Sequence, residues 1–390
     1  MATRSDPLPA LVEAIAAALP ARRPLPLHAP VLGAAEKARL AACIDSGYVS
    51  SIGPEVEAFE HALREFTGLP GVTATVNGSA ALHLALRLAG VRPGDEVLMP
   101  ALTFVGSANA VAACGARPRF VDVSAETLAV DPAALEAHLQ ATTRRAGDGL
   151  YDRRTGNRIA ALMVVHCLGH LGAMEALAAL ARTWGLPLVE DAAEALGSRR
   201  PQGHAGAWGL ASALSFNGNK IITTGGGGAL LSPDPDLARR ARHLATTAKQ
   251  PHPWAFRHDA VAFNYRMPNL NAALGLAQMR RLPLHLEAKA SLEAAYRLSL
   301  ARVPGARLFA APPGSRPNRW LQLLLLDDPD LRDPLLGALH ARGLLARPLW
   351  EPLHRAPMYA HCTRAPLPVT VDLHARGICL PSGADLVEAA

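Results

Sequence analysis

The chain has 390 residues, of which 50% are hydrophobic and 18% are charged, and its formal net charge is +6. This length can bury one large core and a smaller one, as in a globular enzyme. The positive charge does not indicate a nucleic-acid partner, because the arginines are scattered and no basic run alternates with aromatic residues. No stretch approaches the ~20 uninterrupted apolar residues of a membrane span.

Hydrophobic periodicity predicts an alternation of strands and helices through the first two thirds of the chain. Residues 1–20 predict a short amphipathic helix and not a signal peptide, and amphipathic helices follow at 34–46 and 54–66. Seven β-rich runs then alternate with helical patterns; the strands are 72–76, 96–99, 119–123, 159–165, 186–190, 211–216 and 228–231, and the helices are 79–88, 106–114, 173–183 and 235–244. The alternation predicts an α/β fold whose seven-stranded, mostly parallel sheet is covered by helices on both faces.

Two further stretches divide the chain. Residues 142–158 are polar and contain glycine, and they are interpreted as a loop insertion. After residue 252 come a long helical pattern (269–298), a proline-rich link (311–317) and a hydrophobic strand (320–326), which together predict a second, smaller α+β domain. The expected organisation is an N-terminal helix and lead-in at 1–30, a large domain at 31–250 and a small domain at 251–390.

Cysteine usage favours a cytoplasmic protein without a metal site. The five cysteines are odd in number, lie far apart and show no paired metal-ligand spacing: Cys43, Cys114, Cys167, Cys362 and Cys379. This pattern is typical of a reducing compartment.

Lysine is scarce, and one lysine stands in an unusual place. Only four lysines occur beside 35 arginines, and Lys220 lies between an apolar strand and the glycine run 225–228. Arginine keeps its proton in proteins, whereas a desolvated lysine can lose it and attack carbonyls. Lys220 is therefore a candidate Schiff-base lysine; the alternative is a surface lysine beside a flexible turn.

Three features of the sequence accompany Lys220. A predicted strand ends on Asp191 and Glu194, at the edge of the sheet where ligands bind. Another strand turns through Gly78 into a helix, and a helix N-terminus suits a phosphate. Ser215 adds a hydroxyl five residues before Lys220. For the first two features, a plain helix cap is the alternative interpretation.

Together these features match one cofactor. They call for a ligand with three parts: an aldehyde that reacts with the lysine, a phosphate, and a ring nitrogen that an aspartate keeps protonated. Pyridoxal 5′-phosphate has all three. The glycine run 225–228 is a weaker indication of a dinucleotide fold, because it precedes a strand and does not open a helix.

Seven motifs in order resemble the DegT/StrS-type sugar aminotransferases, which are fold type I pyridoxal-phosphate enzymes. The motifs are CIDSGYVSS (43–51), NGSAALH (77–83), PGDEV (93–97), PALTF (100–104), EDAAE (190–194), SFNGNK (215–220) and FNYRMPN (263–269). Three further stretches resemble one branch of this family, the enzymes that act on UDP-4-keto-6-deoxy-N-acetylhexosamines. These stretches are the 142–158 insertion, ITTGGGG (222–228) and TTAK (246–249).

The resemblance implies a role for each matching residue. Lys220 would hold the cofactor and shuttle a proton, Asp191 would pair with the ring nitrogen, and Phe104 would stack on the ring. Further cofactor contacts would come from Gly78, Ser79, Ser215 and, near the ring hydroxyl, Glu194. Asn264 would reach the phosphate in the neighbouring subunit of a homodimer with shared active sites. His166 and His354 are candidates for the sugar pocket, and a buried structural histidine is the alternative for both.

The implied reaction transfers an amino group from L-glutamate to C4 of a UDP-linked 4-keto-6-deoxy-N-acetylhexosamine, for surface polysaccharide or glycan. One alternative substrate is GDP-4-keto-6-deoxymannose, as in perosamine formation. A deoxygenating dehydratase on the same fold is disfavoured because those relatives carry histidine where this chain has Lys220. A non-catalytic regulatory relative is disfavoured because Asp191, Ser215 and Lys220 are all present.

Overall fold

The computed structural model describes residues 7–147 and 149–387. The helices are α1 (Leu8–Ala17), α2 (Ala34–Asp45), α3 (Pro54–Thr67), α4 (Gly78–Leu88), α5 (Val105–Ala113), α6 (Pro132–Thr142), α7 (Met174–Trp184), α8 (Pro235–Ala245), α9 (Asn269–Leu300), α10 (Arg332–Ala341) and α11 (Pro368–Arg376). The strands are β1 (Gly71–Thr75), β2 (Glu96–Pro100), β3 (Arg117–Val121), β4 (Thr143–Ala146), β5 (Gly149–Asp152), β6 (Arg158–Val165), β7 (Leu188–Asp191), β8 (Arg199–Arg200), β9 (Gly203–His204), β10 (Ala211–Ser215), β11 (Gly228–Ser232), β12 (Lys249–Gln250), β13 (Arg257–His258), β14 (Ala306–Leu308), β15 (Gln322–Leu326), β16 (Arg347–Pro348) and β17 (Gly377–Leu380).

The main sheet confirms the predicted α/β architecture. Its strands follow the order β1-β11-β10-β7-β6-β2-β3, and β11 is antiparallel to both of its neighbours. The remaining pairs are parallel, so β1, β10, β7, β6, β2 and β3 all end at the same edge. These strands are almost wholly buried, as expected where helices cover both faces.

The insertion at 142–158 is a correction to the sequence-based prediction. It is a β-hairpin of β4 and β5, and β5 also pairs with β6, so that the main sheet has nine strands. The hairpin escaped prediction because each of its strands has only four residues and β4 carries two exposed arginines, so no sustained alternation of apolar residues marks it.

Both edges of the main sheet are covered by backbone from the second half of the chain. At β3, Phe120 N donates to Thr363 O at 2.9 Å, and Ala365 N donates to Phe120 O at 2.9 Å. At the end of β1, Val76 N donates to Tyr265 O at 2.9 Å. The distal part of the chain is thereby hydrogen-bonded to each side of the main sheet.

A second, antiparallel sheet has the order β14-β15-β17-β16. Its core includes Leu324, Tyr296 of α9 and, from the N-terminal helix, Leu11 and Ile15. The first helix thus packs on the part of the chain that is most distant in sequence. Helix α9 contacts α2 and α3 near its start and the second sheet near its end, and among the described residues no helix is long and apolar enough to cross a membrane.

Lys289 is a charged residue buried where α9 meets the second sheet. Its side chain is fully buried, and Nζ donates to the carbonyl oxygens of Trp320 (3.0 Å) and Ser382 (2.5 Å). Burial lowers the pKa of Lys289 to about 7, while Asp385 opposes the shift. The nearby His28 and His285 also have pKa values lowered chiefly by burial, so this region holds several groups that resist protonation.

We expect Lys289→Met to flatten the pH dependence of stability. The pKa of Lys289 is about 7 in the folded chain and near 10.5 when unfolded. Above pH 7 the unfolded state therefore binds more protons, and wild-type stability gains up to ~1.4 kcal/mol per pH unit relative to the variant. Thermal unfolding of both proteins at matched pH values from 7 to 9 measures this difference. Parallel profiles would mean that the two carbonyl groups keep Lys289 charged.

Candidate active site

A cavity of about 210 Å³ opens at the edge where the parallel strands end. Loops after β1, β2, β7 and β10 supply most of its lining, as expected for a sheet of this topology. Seven residues predicted from the sequence line it together: Gly78, Ser79, Phe104, Asp191, Glu194, Ser215 and Lys220.

One end of the cavity is built to receive an anion. Helix α4 begins at Gly78, and the side chain of Asn77 caps it by accepting a hydrogen bond from Ala80 N at 2.7 Å. The amides of Gly78 and Ser79 have no acceptor within the helix, because the first N–H groups of a helix never do. A Cβ on Gly78 would lie 2.9 Å from Cβ of Ser215, so glycine is required for this close approach. Amides, two serine hydroxyls and the positive helix end suit a phosphate.

Asp191 is held rigidly at the end of β7. Its Oδ2 accepts a 2.6 Å hydrogen bond from Ser107 Oγ, and its Oδ1 accepts one from Ala193 N at 3.1 Å. Ser107 Oγ in turn lies 2.9 Å from Thr103 Oγ1. With 7% of its surface exposed, Asp191 presents an oriented carboxylate to the cavity. Such a carboxylate can hold a proton on a ring nitrogen.

The amine of Lys220 lies between a carboxylate and an aromatic ring. Its Nζ is 3.7 Å from Glu194 Oε1 and 3.9 Å from the centroid of the Trp320 ring. Burial lowers the pKa of Lys220, and the charge of Glu194 opposes this shift. A lowered pKa increases the fraction of free amine near neutral pH, which a nucleophilic lysine requires.

Glu194 is buried and is fixed from the opposite side. Its Oε2 accepts a 2.6 Å hydrogen bond from Leu168 N. Leu168 has a φ of 56°, a left-handed conformation that costs a non-glycine residue ~1–2 kcal/mol. Burial raises the pKa of Glu194, whereas Lys220 lowers it. Lys220 and Glu194 thus form a buried pair in which desolvation favours the neutral form of each group.

Aromatic rings form the wall near the cavity mouth. Phe104 is 56% exposed, and its ring centroid lies 5.8 Å from that of Trp350. Trp350 stacks at 6.3 Å on Trp320, whose Nε1 donates to Asn219 O at 2.7 Å. The wall combines a flat apolar surface with a fixed position, which suits a planar ligand.

Three predicted residues lie outside the lining of this cavity. Asn264 is exposed on the surface, and within the described residues its side chain makes no hydrogen bond. His166 is fully buried, and its Nε2 lies 2.8 Å from Glu190 Oε2. His354 borders a separate surface groove, and burial lowers its pKa. The geometry of His166 favours the structural alternative that its sequence left open.

The sequence did not single out several other residues of the cavity lining, among them four whose contacts shape the site: Thr103, Ser107, Trp320 and Trp350. Ser107 and Thr103 stand beside the predicted Phe104, but a serine within a helix carries no chemical signal of its own. The two tryptophans come from the second half of the chain, and only the fold brings them to Lys220.

Comparison with known proteins agrees with this geometry. The model of the DegT/DnrJ/EryC1/StrS aminotransferase family matches residues 30–390. GDP-perosamine synthase of Caulobacter vibrioides is 36% identical over 366 residues, covering 93% of this chain and 94% of that protein. The dTDP-4-dehydro-2,3,6-trideoxy-D-glucose 4-aminotransferase of Saccharopolyspora spinosa is 31% identical over 373 residues, 91% of each chain.

A solved structure extends the likeness to the fold. The aminotransferase TlmJ from Streptoalloteichus hindustanus superposes with a TM-score of 0.84 at 32% identity, covering 93% of this chain and 95% of that one. The chain therefore belongs to the DegT/DnrJ/EryC1/StrS aminotransferase family, as its motifs predicted, and it is a sugar aminotransferase.

Proposed function

We propose that this enzyme uses pyridoxal 5′-phosphate to transfer an amino group from L-glutamate to C4 of a nucleotide-linked 4-keto-6-deoxy sugar. The observation that carries the proposal is the single cavity that combines Lys220, Asp191 and the anion-binding start of α4. Membership of the aminotransferase family supports the same reaction class.

The residues of the cavity fit this cofactor. Gly78 allows the start of α4 to approach Ser215, and a Cβ on Gly228 would lie 2.4 Å from the backbone of Asn77, so both glycines keep the phosphate cradle compact. Ser79 and Ser215 add hydroxyl donors. Asp191 would hold the ring nitrogen, Phe104 would pack on the ring face, and Lys220 would supply the covalent attachment.

When bound, the cofactor supplies an electron sink that stabilises negative charge at the carbon losing a proton. Asp191 supports this by holding the ring nitrogen protonated, and Ser107 keeps the carboxylate in place. With the cofactor bound, Lys220 would carry the transferred proton on its Nζ, for which its lowered pKa is suited. Trp320 covers one side of the amine and Trp350 stacks on Trp320, so this side of the amine is shielded from water, which favours the lowered pKa.

The GDP-linked substrate now has more support than the UDP-linked one. The sequence motifs favoured a UDP-4-keto-6-deoxy-N-acetylhexosamine, with GDP-4-keto-6-deoxymannose as the alternative. GDP-perosamine synthases of three organisms are 33% to 36% identical to this chain. We therefore infer a GDP-linked 4-keto-6-deoxymannose as the first substrate to test.

We expect one nucleotide sugar to be aminated far faster than the others in a panel. UDP-, GDP- and dTDP-linked 4-keto-6-deoxy sugars, each supplied with glutamate, would be assayed by mass spectrometry and NMR of the product. The GDP-linked substrate should have the highest kcat/KM. If the enzyme prefers the UDP-linked N-acetylhexosamine, its substrate is the one used by the family branch that the sequence motifs resemble.

Lys220→Ala and Lys220→Arg are the controls for this panel. Both should lack the visible absorption band of the covalently bound cofactor and the activity, because neither side chain presents a free amine. A wild-type protein that binds the cofactor but aminates no member of the panel would favour the non-catalytic alternative.

We expect Asp191→Asn to reduce kcat at least ~100-fold, on the scale of losing one strong electrostatic contact in a site. The cofactor should still bind, through the phosphate cradle and Lys220. Ser107→Ala keeps the carboxylate but removes its 2.6 Å hydrogen bond from Ser107, together with the 2.9 Å contact between Ser107 and Thr103, and should cost about 10-fold, the scale of one hydrogen bond to a charged group. Equal kcat in wild type and Asp191→Asn would show that another residue faces the ring nitrogen.

We further propose that the enzyme is a homodimer whose two sites are shared. Asn264 is exposed and has no side-chain hydrogen bond within the described part of the chain, so its amide is available to a second subunit. It lies next to Tyr265, whose carbonyl is bonded to Val76 near the phosphate cradle. A two-fold interface at this surface would bring each Asn264 to its partner's site.

Two inactive variants should then rescue each other. Subunits carrying Lys220→Ala, mixed with subunits carrying an impaired Asn264 variant, should form heterodimers with one intact and one doubly damaged site. Random exchange gives about half mixed dimers, so activity should reach about a quarter of wild type. If Asn264 serves its own chain, verified subunit exchange will restore no activity.

A further inference from the structure

A second cavity, of about 590 Å³, lies away from the active site and shares no lining residue with it. It is bounded by α6, the residues after β5 and the segment 360–364. Its ionisable lining, cysteine aside, is four arginines, two histidines and one acid: Arg119, Arg153, Arg154, Arg364, His138, His361 and Asp152.

The buried floor of this cavity satisfies its own charges. Arg119 is fully buried and donates to Glu96 Oε2 (2.8 Å), Asp152 Oδ2 (2.5 Å) and Thr142 Oγ1 (2.8 Å). Its Nε donates to His138 Nε2 at 3.1 Å. Burial, together with Arg119, lowers the pKa of His138 to about 4, so His138 is a neutral acceptor. The buried side chains at the bottom of the cavity are therefore held in place by their hydrogen bonds to one another.

The rim of the cavity carries the exposed Arg153, Arg154 and Arg364, which have no acidic partner in the described part of the chain. Asp152 is already committed, because its second oxygen accepts from the amides of Arg154 (2.8 Å) and Thr155 (2.6 Å). Through residues 7–147 and 149–387, no carboxylate forms an ion pair with Arg153, Arg154 or Arg364. Arg364 donates only to Ala360 O, at 3.2 Å.

The charges leave a positive excess. Leaving the histidines out of the count, the four guanidinium groups outnumber by two the carboxylates of Asp152 and Glu96, which both pair with Arg119. Arg153, Arg154 and Arg364 are exposed side chains that line one concavity, where their charges repel one another, and an anion between them offsets that repulsion. Guanidinium groups pair with phosphate through two parallel hydrogen bonds.

We propose that this second cavity binds a phosphoryl anion through Arg153, Arg154 and Arg364. Inorganic phosphate and the diphosphate of a nucleotide share the required chemistry. The site does not depend on the proposed reaction or its substrate, because none of its residues reaches the active-site cavity.

The test measures binding to the cofactor-loaded enzyme, in which the active-site phosphate cradle is already occupied. Inorganic phosphate, pyrophosphate and GDP would each be titrated by calorimetry into wild type, Arg153→Ala/Arg154→Ala and Arg364→Ala. We expect wild type to bind phosphate or pyrophosphate, and both variants to bind it at least about 10-fold more weakly, the effect of ~1.4 kcal/mol. Binding of GDP but not of pyrophosphate, weakened by both sets of arginine substitutions, would identify the nucleotide as the source, whereas GDP binding that these substitutions leave unchanged belongs to the substrate site and, without phosphate or pyrophosphate binding, overturns the proposal.

The matched control is Arg302→Ala/Arg307→Ala, which removes two exposed arginines outside the lining of this cavity. This control should bind the anions like wild type, and all variants should keep the wild-type unfolding temperature without ligand to within a few degrees. If the control binds the anions as weakly as the other two variants do, the effect comes from net charge alone and the proposed site is wrong. Absence of binding to wild type, or a changed molecular mass of the Arg153→Ala/Arg154→Ala protein in light scattering, would also overturn it.

Discussion

The common direction of the parallel strands is the constraint on which the active site depends. Because β1, β2, β7 and β10 end at one edge, the residues that follow them meet in one place. Gly78, Phe104, Asp191 and Ser215 come from four separate parts of the sequence, and each needs only to stand at the end of its own strand or just after it. The antiparallel β11 fits the same plan, because its first residue, Gly228, starts at that edge and packs against Asn77.

The second constraint is desolvation around Lys220. Burial lowers the pKa of this amine and raises that of Glu194, while their mutual attraction acts in the opposite direction on both. A buried ion pair gains little net stability, since desolvation offsets most of its Coulomb energy. The balance therefore leaves the lysine able to give up its proton, which an exposed lysine at neutral pH does not do. Trp320 maintains this condition by covering Nζ.

Much of this arrangement could be predicted because short stretches of the sequence indicate it on their own. Seven of the nine strands of the main sheet, the turn at Gly78 and the strand end at Asp191 follow from periodicity and turn chemistry. Trp320 and Trp350 were not predictable, because their approach to Lys220 depends on how the second sheet packs. Ser107 was missed because its importance comes entirely from a hydrogen bond to Asp191. The hairpin β4–β5 was missed because its strands are only four residues long and β4 presents two exposed arginines, which is too short a stretch for a period of two to be recognised.

The hydrogen bonds that flank the main sheet have a consequence for colloidal behaviour. A bare edge strand offers unpaired N–H and C=O groups to other chains and promotes aggregation. Here the segment around Thr363 pairs with β3, and the segment around Tyr265 pairs beyond β1, so that each flank is occupied by the chain itself. Both segments lie beyond residue 250. A fragment that stopped at that point would keep the strands of the main sheet but uncover their flanks, and would tend to stack edge to edge into insoluble material.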